Sequence, residues 1–95
     1  MRLELADSAL TDLGDIWTFL ARNSETQADL VIAQILECAR ELEATPLIGK
    51  DFSHLRRGLR RFICGQYLVF YRISGDFVEV LHVLHGKRDF EAFFS

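Results

Sequence analysis

The sequence predicts a single α+β domain spanning residues 1–95, in which a helical hairpin lies across one face of a small, mostly antiparallel sheet in the order β-α-α-β-β-β. Three observations carry this. The 95 residues suffice for one hydrophobic core and no more. Apolar residues recur at helical spacing through the first half of the chain and stop at Pro46. From Leu59 onward the period changes to two and the composition to β-branched and aromatic residues, the mark of strands. One strand, a helical hairpin and a three-strand meander bury their apolar faces by laying the helices on the sheet.

Residues 2–6 alternate, with Leu3 and Leu5 on one face, and read as a short first strand. Asp7 and Ser8 offer N-caps to a helix over 9–22, whose Leu10, Leu13, Trp17, Leu20 and Ala21 form one stripe flanked by Ile16. Asp12 and Asp15 fall in its early turns, where the helix dipole favours acids. Asn23 is a natural left-handed stop, and Ser24 to Gln27 reads as a capping box that starts a second helix at once. So short a connection implies an antiparallel hairpin. The second helix repeats Ala28, Ile32, Ile35, Ala39 and Leu42, widened by Val31 and Leu36, until Pro46 closes it. After a loop rich in bases and glycine, residues 59–64 and 67–73 read as strands about a tight Gly65-Gln66 turn. A second turn at 74–76 leads into 77–84, a nearly continuous apolar run of the kind found in the middle of a sheet.

Composition narrows the class further. With 49% hydrophobic and 26% charged residues and one proline, the chain has the makings of a folded domain. No apolar run approaches the eighteen or so residues of a membrane span, and the N-terminus lacks a signal-peptide core, so the cytoplasm is the expected location. Cys38 and Cys64 lie far apart, without the spacing of a zinc knuckle or a redox dithiol, and read as small buried thiols. The net charge of −3 hides an asymmetry: residues 1–45 carry three bases against nine acids, and residues 46–95 eight bases against five acids. A basic half on an acidic protein suits an acidic partner.

The basic cluster comprises Lys50, Arg56, Arg57, Arg60, Arg61, Arg72, Lys87 and Arg88. Neighbours on a strand, Arg60 and Arg61 point to opposite faces; whichever escapes the buried side can join Arg72 and Arg88 in a patch on the open face suited to phosphate or carboxylate. The plainer alternative, which composition favours, is a solvated face paired with Asp51, Asp76, Glu79 and Asp89. His82 and His85, three apart at a strand end, fall on opposite faces and make a poor metal site. A strand-end histidine beside Arg88 has the chemistry of a general acid or base, though a hydrogen-bonded structural histidine is commoner. His54 sits in a loop without partners. No glycine-rich phosphate loop, serine elbow or helical His-Glu-x-x-His occurs, so no cofactor or metal is expected. Phe19 and Leu30 lie off their helix stripes and either cap the hairpin or mark a partner's groove. The tail residues Phe90, Phe93 and Phe94 pose the same choice between sheet-edge packing and an interface.

Several motifs in order look familiar: Leu42…Pro46…Gly49, then Gly58-Leu59-Arg60, then Gly65-Gln66-Tyr67-Leu68-Val69-Phe70-Tyr71-Arg72, then Val83-Leu84-His85-Gly86-Lys87-Arg88-Asp89. With the opening helix Ala9 to Ile16, this set resembles the ParE branch of the RelE/ParE toxin superfamily over nearly the whole chain. The resemblance implies the β-α-α-β-β-β fold and the toxin half of a type II toxin-antitoxin pair, neutralised by a small ParD-like antitoxin in a hetero-oligomer. It also implies, as for several ParE proteins, an action on DNA gyrase, with no membrane and no sequence-specific nucleic-acid binding by the toxin alone. On that reading the antitoxin contacts are expected at Phe19, Leu30, Arg56, Arg57 and Arg60. The target contacts are expected at Arg72, His82, His85, Lys87, Arg88, Phe93 and Phe94. His82 stands where the family often has arginine. The superfamily's other branch, the RelE-like ribosome-dependent mRNA endonucleases, is the alternative, with Arg60, Arg61, His85 and Arg88 as its phosphate and proton-transfer set. Ile63, Cys64 and Leu68 stand where further bases would be expected there, and Phe94 falls where that branch commonly has a tyrosine. A phenyl ring supplies no proton, so the expectation is a toxin without catalytic residues.

Overall fold

Alternation in Arg2–Leu5 makes the first strand, β1, and the computed structural model, which describes residues 1–94, pairs it parallel to the last strand rather than to its sequence neighbour. The chain then runs through α1 (Asp7–Ala21), α2 (Glu25–Ala39), a single turn α3 (Glu41–Ala44), β2 (Lys50–Asp51), β3 (Arg60–Cys64), β4 (Tyr67–Ser74), β5 (Phe77–His85) and α4 (Phe90–Phe94). The five strands lie in the order β1-β5-β4-β3-β2, all antiparallel except β1 with β5. Strand β5 has a neighbour on each side over Phe77–Val80 and is covered on both faces, which is why its sequence is apolar almost throughout. Gly65 (φ +62°) and Gly75 (φ +61°) turn the two hairpins of the meander in a backbone conformation that side chains disfavour.

The α1–α2 hairpin covers one face, burying Ala9, Leu13, Ile35 and Ala39 against Val69, Tyr71, Val78, Val80 and Val83. The second face, expected to be open, is covered as well. Phe52 and Leu59 of the β2–β3 loop, together with Phe90, Phe93 and Phe94 of α4, close over Leu68, Phe70, Leu81 and Leu84. An irregularity in the β4–β5 ladder, where Phe70 faces His82 but Tyr71 faces Val80, sets Leu81 and His82 both toward this second face.

Local expectations are corrected at several points. Helix α1 begins at Asp7 with Ala6 as an N-cap that makes no side-chain bond, because the Ser8 hydroxyl reaches β5 instead. Its buried stripe runs through Ala9, Leu13 and Ile16, so Leu10 is turned out to solvent. Asn23 is not left-handed; its N–H and that of Ser24 both bond the Leu20 carbonyl, ending the helix with right-handed geometry. Ser24 does cap α2, accepting from the Gln27 N–H at 3.1 Å. The second helix breaks at Arg40 rather than running to Pro46. Cys38 and Cys64 are not free thiols but a disulfide, and only Cys64 is fully buried.

Candidate functional site

The length mismatch between β1 and β5 creates the site. Strand β1 pairs only with Phe77–Val80, and after the Ala6 N–H bonds the Val80 carbonyl the chain turns away into α1. The rest of β5 would present a bare edge, which proteins generally cover. Helix α1 does so with side chains one turn apart on one face. The Ser8 hydroxyl donates to the Leu81 carbonyl at 2.6 Å, and one oxygen of Asp12 accepts the Val83 N–H at 3.0 Å. The same oxygen lies 2.8 Å from Nδ1 of His82, which fixes that nitrogen as the protonated one. On its other side the His82 ring stands edge-on to Phe93 at 4.6 Å and to Phe94 at 5.7 Å. His82 therefore ties α1, β5 and α4 together.

Beside this junction lies a groove of about 520 Å³. Its apolar lining comes from Ile16 and Phe19 of α1, Tyr67 of β4, and Val83 and Leu84 of β5. Asp12 and Asp15 edge it along α1, whereas His85, Lys87 and Arg88 contribute basic and imidazole groups from the end of β5 and the turn after it. Nδ1 of His85 accepts the Lys87 N–H at 3.1 Å, and the ring packs edge-on to Tyr67. Arg88 holds its guanidinium over Phe93, 4.8 Å from the ring centre. Phe19, 65% exposed, is largely uncovered, with Arg22 over its ring. A smaller hollow of about 430 Å³ lies between α2 and the β3–β4 turn, and Tyr67 lines both.

The remaining residues singled out in the sequence are scattered. Leu30 is exposed on α2. Arg56 and Arg57 are exposed in the β2–β3 loop. Arg60 turns its guanidinium inward to the chain, donating to the carbonyls of Gly49 at 2.7 Å and Leu47 at 3.3 Å. Arg61, directly across from Phe70, lies over Phe52 and Phe90 on the second face, with its Nε buried and unbonded among the described residues. Arg72 pairs with Glu79 at 2.9 Å. Arg60, Arg61, His85 and Arg88 thus occupy different settings rather than converging on one point. The groove's acidic side is not legible in the sequence, where the helix dipole already accounts for Asp12 and Asp15. Ser8 and Asp12, four apart just after a strand too short to flank the whole of β5, are the available signal.

Residues 3–90 match the family described as the ParE toxin of the type II toxin-antitoxin system parDE. The chain belongs to the ParE toxin family. Toxin ParE1 of Caulobacter vibrioides is 38% identical over 95 residues, covering 93% of this chain and 92% of that protein. Among solved structures, the chromosomal ParDE system from P. aeruginosa superposes with a TM-score of 0.76 at 18% identity, covering 90% of this chain and 95% of that one, a likeness of fold. The toxin-antitoxin complex RelBE2 from Mycobacterium tuberculosis gives a TM-score of 0.65 at 25% identity over 88% of this chain and 95% of that one. This chain is therefore a ParE-like type II toxin. Among its described residues no helix is long and apolar enough to cross a membrane, and no group of three or more His, Cys, Asp or Glu is placed to hold a metal ion.

Proposed function

We propose that this toxin acts in the cytoplasm by inhibiting DNA gyrase through binding, without catalysing a reaction, and that a ParD-like antitoxin neutralises it by covering the same surface. The observation that carries this reading is the groove, which brings Phe19 together with His85, Lys87 and Arg88. Residues expected to meet the antitoxin and residues expected to meet the target therefore share one lining. An antitoxin side chain seated over Phe19 excludes a target from His85, Lys87 and Arg88 beside it. Phe93 and Phe94 extend the target face, with His82 anchoring them. Arg72 lies apart from the groove beside Glu79 and adds to the face only its charge. Leu30, Arg56 and Arg57 complete the antitoxin surface, the first by apolar contact and the arginines by charge. Arg60 is left out of it, since its guanidinium holds the loop carbonyls.

Phosphodiester cleavage by an RNA 2′-hydroxyl requires a base, an acid and cationic charge brought to one phosphoryl group. Arg60 and Arg61 leave β3 on opposite faces, and Phe94 offers no proton, so the mRNA endonuclease reading lacks its constellation. A supercoiling assay with purified gyrase beside a ribosome-programmed mRNA cleavage assay separates the two. Gyrase inhibition with intact message is expected; cleavage in the ribosomal A site with gyrase untouched overturns the proposal.

A further inference from the structure

The Cys38–Cys64 pair joins two elements that are not strand partners: the last turn of α2 and the final residue of β3, 26 positions apart, with Cα atoms separated by 5.8 Å. The two residues differ in exposure. Cys64 is 4% exposed, whereas Cys38 is only partly buried, and both line the hollow of about 430 Å³ beside Val31, Gly65 and Gln66. The bond therefore links one wall of that hollow, α2, to its other wall, the β3–β4 turn, at the point where α2 ends. We propose that Cys38–Cys64 is a reversible thiol–disulfide site, opened and closed by exchange with a small-molecule thiol and its disulfide of the glutathione class, and that closure fixes the width of the hollow. The proposal is independent of the antitoxin and gyrase readings.

The chemistry follows from the difference in exposure. In the open form the Cys38 thiol loses its proton to water, and the thiolate attacks one sulfur of the small disulfide. A mixed disulfide forms on Cys38 and one small thiolate departs, taking up a proton. Cys64, already within bonding reach, then loses its proton and attacks the Cys38 sulfur. The intrachain bond forms and the second small thiolate leaves and is protonated. Two protein thiols and one small disulfide thus give one protein disulfide and two small thiols; the protein loses two electrons and the small disulfide gains them. Excess small thiol drives the same steps backward, entering at Cys38. Apolar contacts such as those of Ile35 and Ala39 still hold α2 on the sheet in the open form, so the fold survives while its hollow loosens.

The test equilibrates the full chain in glutathione buffers of graded oxidised-to-reduced ratio, traps thiols with a maleimide and weighs the intact protein. A reversible two-electron transition within that range is expected. The oxidised form is expected to melt higher by about 10 °C or more, with slower amide exchange over residues 35–40 and 64–67 and none of this change over residues 9–16. Cys64→Ser should accumulate a glutathione adduct at Cys38, while Cys38→Ser should leave Cys64 unmodified in the folded protein. Thiols that persist in fully oxidised glutathione, a bond that survives excess reduced glutathione, or unchanged exchange at both walls would overturn the proposal. So would equal adduct formation by the two serine variants.

Discussion

At the scale of single residues, the most consequential side chain outside the groove is Tyr71. Its hydroxyl donates to the Pro46 carbonyl at 2.7 Å and accepts the Gly49 N–H at 2.9 Å, while Arg60 holds the carbonyls of Leu47 and Gly49. Four residues that carry the family resemblance, Pro46, Gly49, Arg60 and Tyr71, thus join in closing one loop. Tyr71→Phe strips a buried N–H and a part-buried carbonyl of their bonds and should cost about 1–3 kcal/mol, read as a lower urea midpoint at unchanged slope. Burial raises the Tyr71 pKa above its ordinary 10.0. The folded state therefore holds this proton more firmly than the unfolded chain does. That contribution is complete below about pH 10 and is lost as pH rises toward the raised value, so stability should fall more steeply above about pH 10 in the wild type than in Tyr71→Phe. A Cβ at Gly49 would sit 2.5 Å from the Tyr71 hydroxyl and 2.9 Å from the Arg61 carbonyl. Gly49→Ala should accordingly destabilise by roughly 1–3 kcal/mol, since the second obstacle is backbone and cannot swing aside.

Among elements, those with a strong internal period were legible in the sequence, and those made by tertiary contact were not. The central strand β5 announced itself by continuous apolarity, and α2 by Ala28, Ile35 and Ala39 at helical spacing. Helix α1 was found, but its stripe was centred wrongly because Leu10 outweighs Ala9 in hydrophobicity while close packing on β5 favours the smaller side chain. The two-residue β2 and the one-turn α4 are too short to show a period and exist because Phe52 and Phe90 pack on Phe70. The groove was half legible: its basic and aromatic residues stood out, whereas its acidic side depends on how α1 crosses the end of β5. Asp12→Ala should test that crossing, since it leaves the Val83 N–H and His82 without their acceptor. A loss of roughly 1–3 kcal/mol is expected, with faster tryptic cleavage at Lys87 and Arg88, and Asp12→Asn should restore part of both. On the outer faces, Phe19→Asp and Leu30→Asp alter exposed side chains and should leave the fold intact. Each should weaken binding of the proposed antitoxin by about 2 kcal/mol or more in calorimetry, by burying an unpaired charge.

Over the whole molecule the charge is divided along the fold. The half that supplies the helical hairpin carries nine acids against three bases, and the half that supplies the meander, the β2–β3 loop and α4 carries eight bases against five acids. An acidic, disordered antitoxin segment approaching such a body is repelled by the hairpin and drawn to the basic end before any apolar contact forms. Apolar docking on the hairpin is short-ranged and governs how long the complex lasts, whereas the field of the loop arginines reaches about a Debye length, ~8 Å at physiological salt, and governs how often encounters succeed. Arg56 and Arg57 suit this role because both are exposed and neither makes an ion pair among the described residues. Arg57→Ala should therefore slow association severalfold at low salt while leaving the dissociation rate close to that of the wild type. The difference should shrink as ionic strength rises, and toxicity without antitoxin should persist. Stopped-flow association measured against salt concentration checks this directly: parallel salt dependences for wild type and Arg57→Ala would take the β2–β3 loop out of the encounter and leave steering to Lys87 and Arg88 beside the groove.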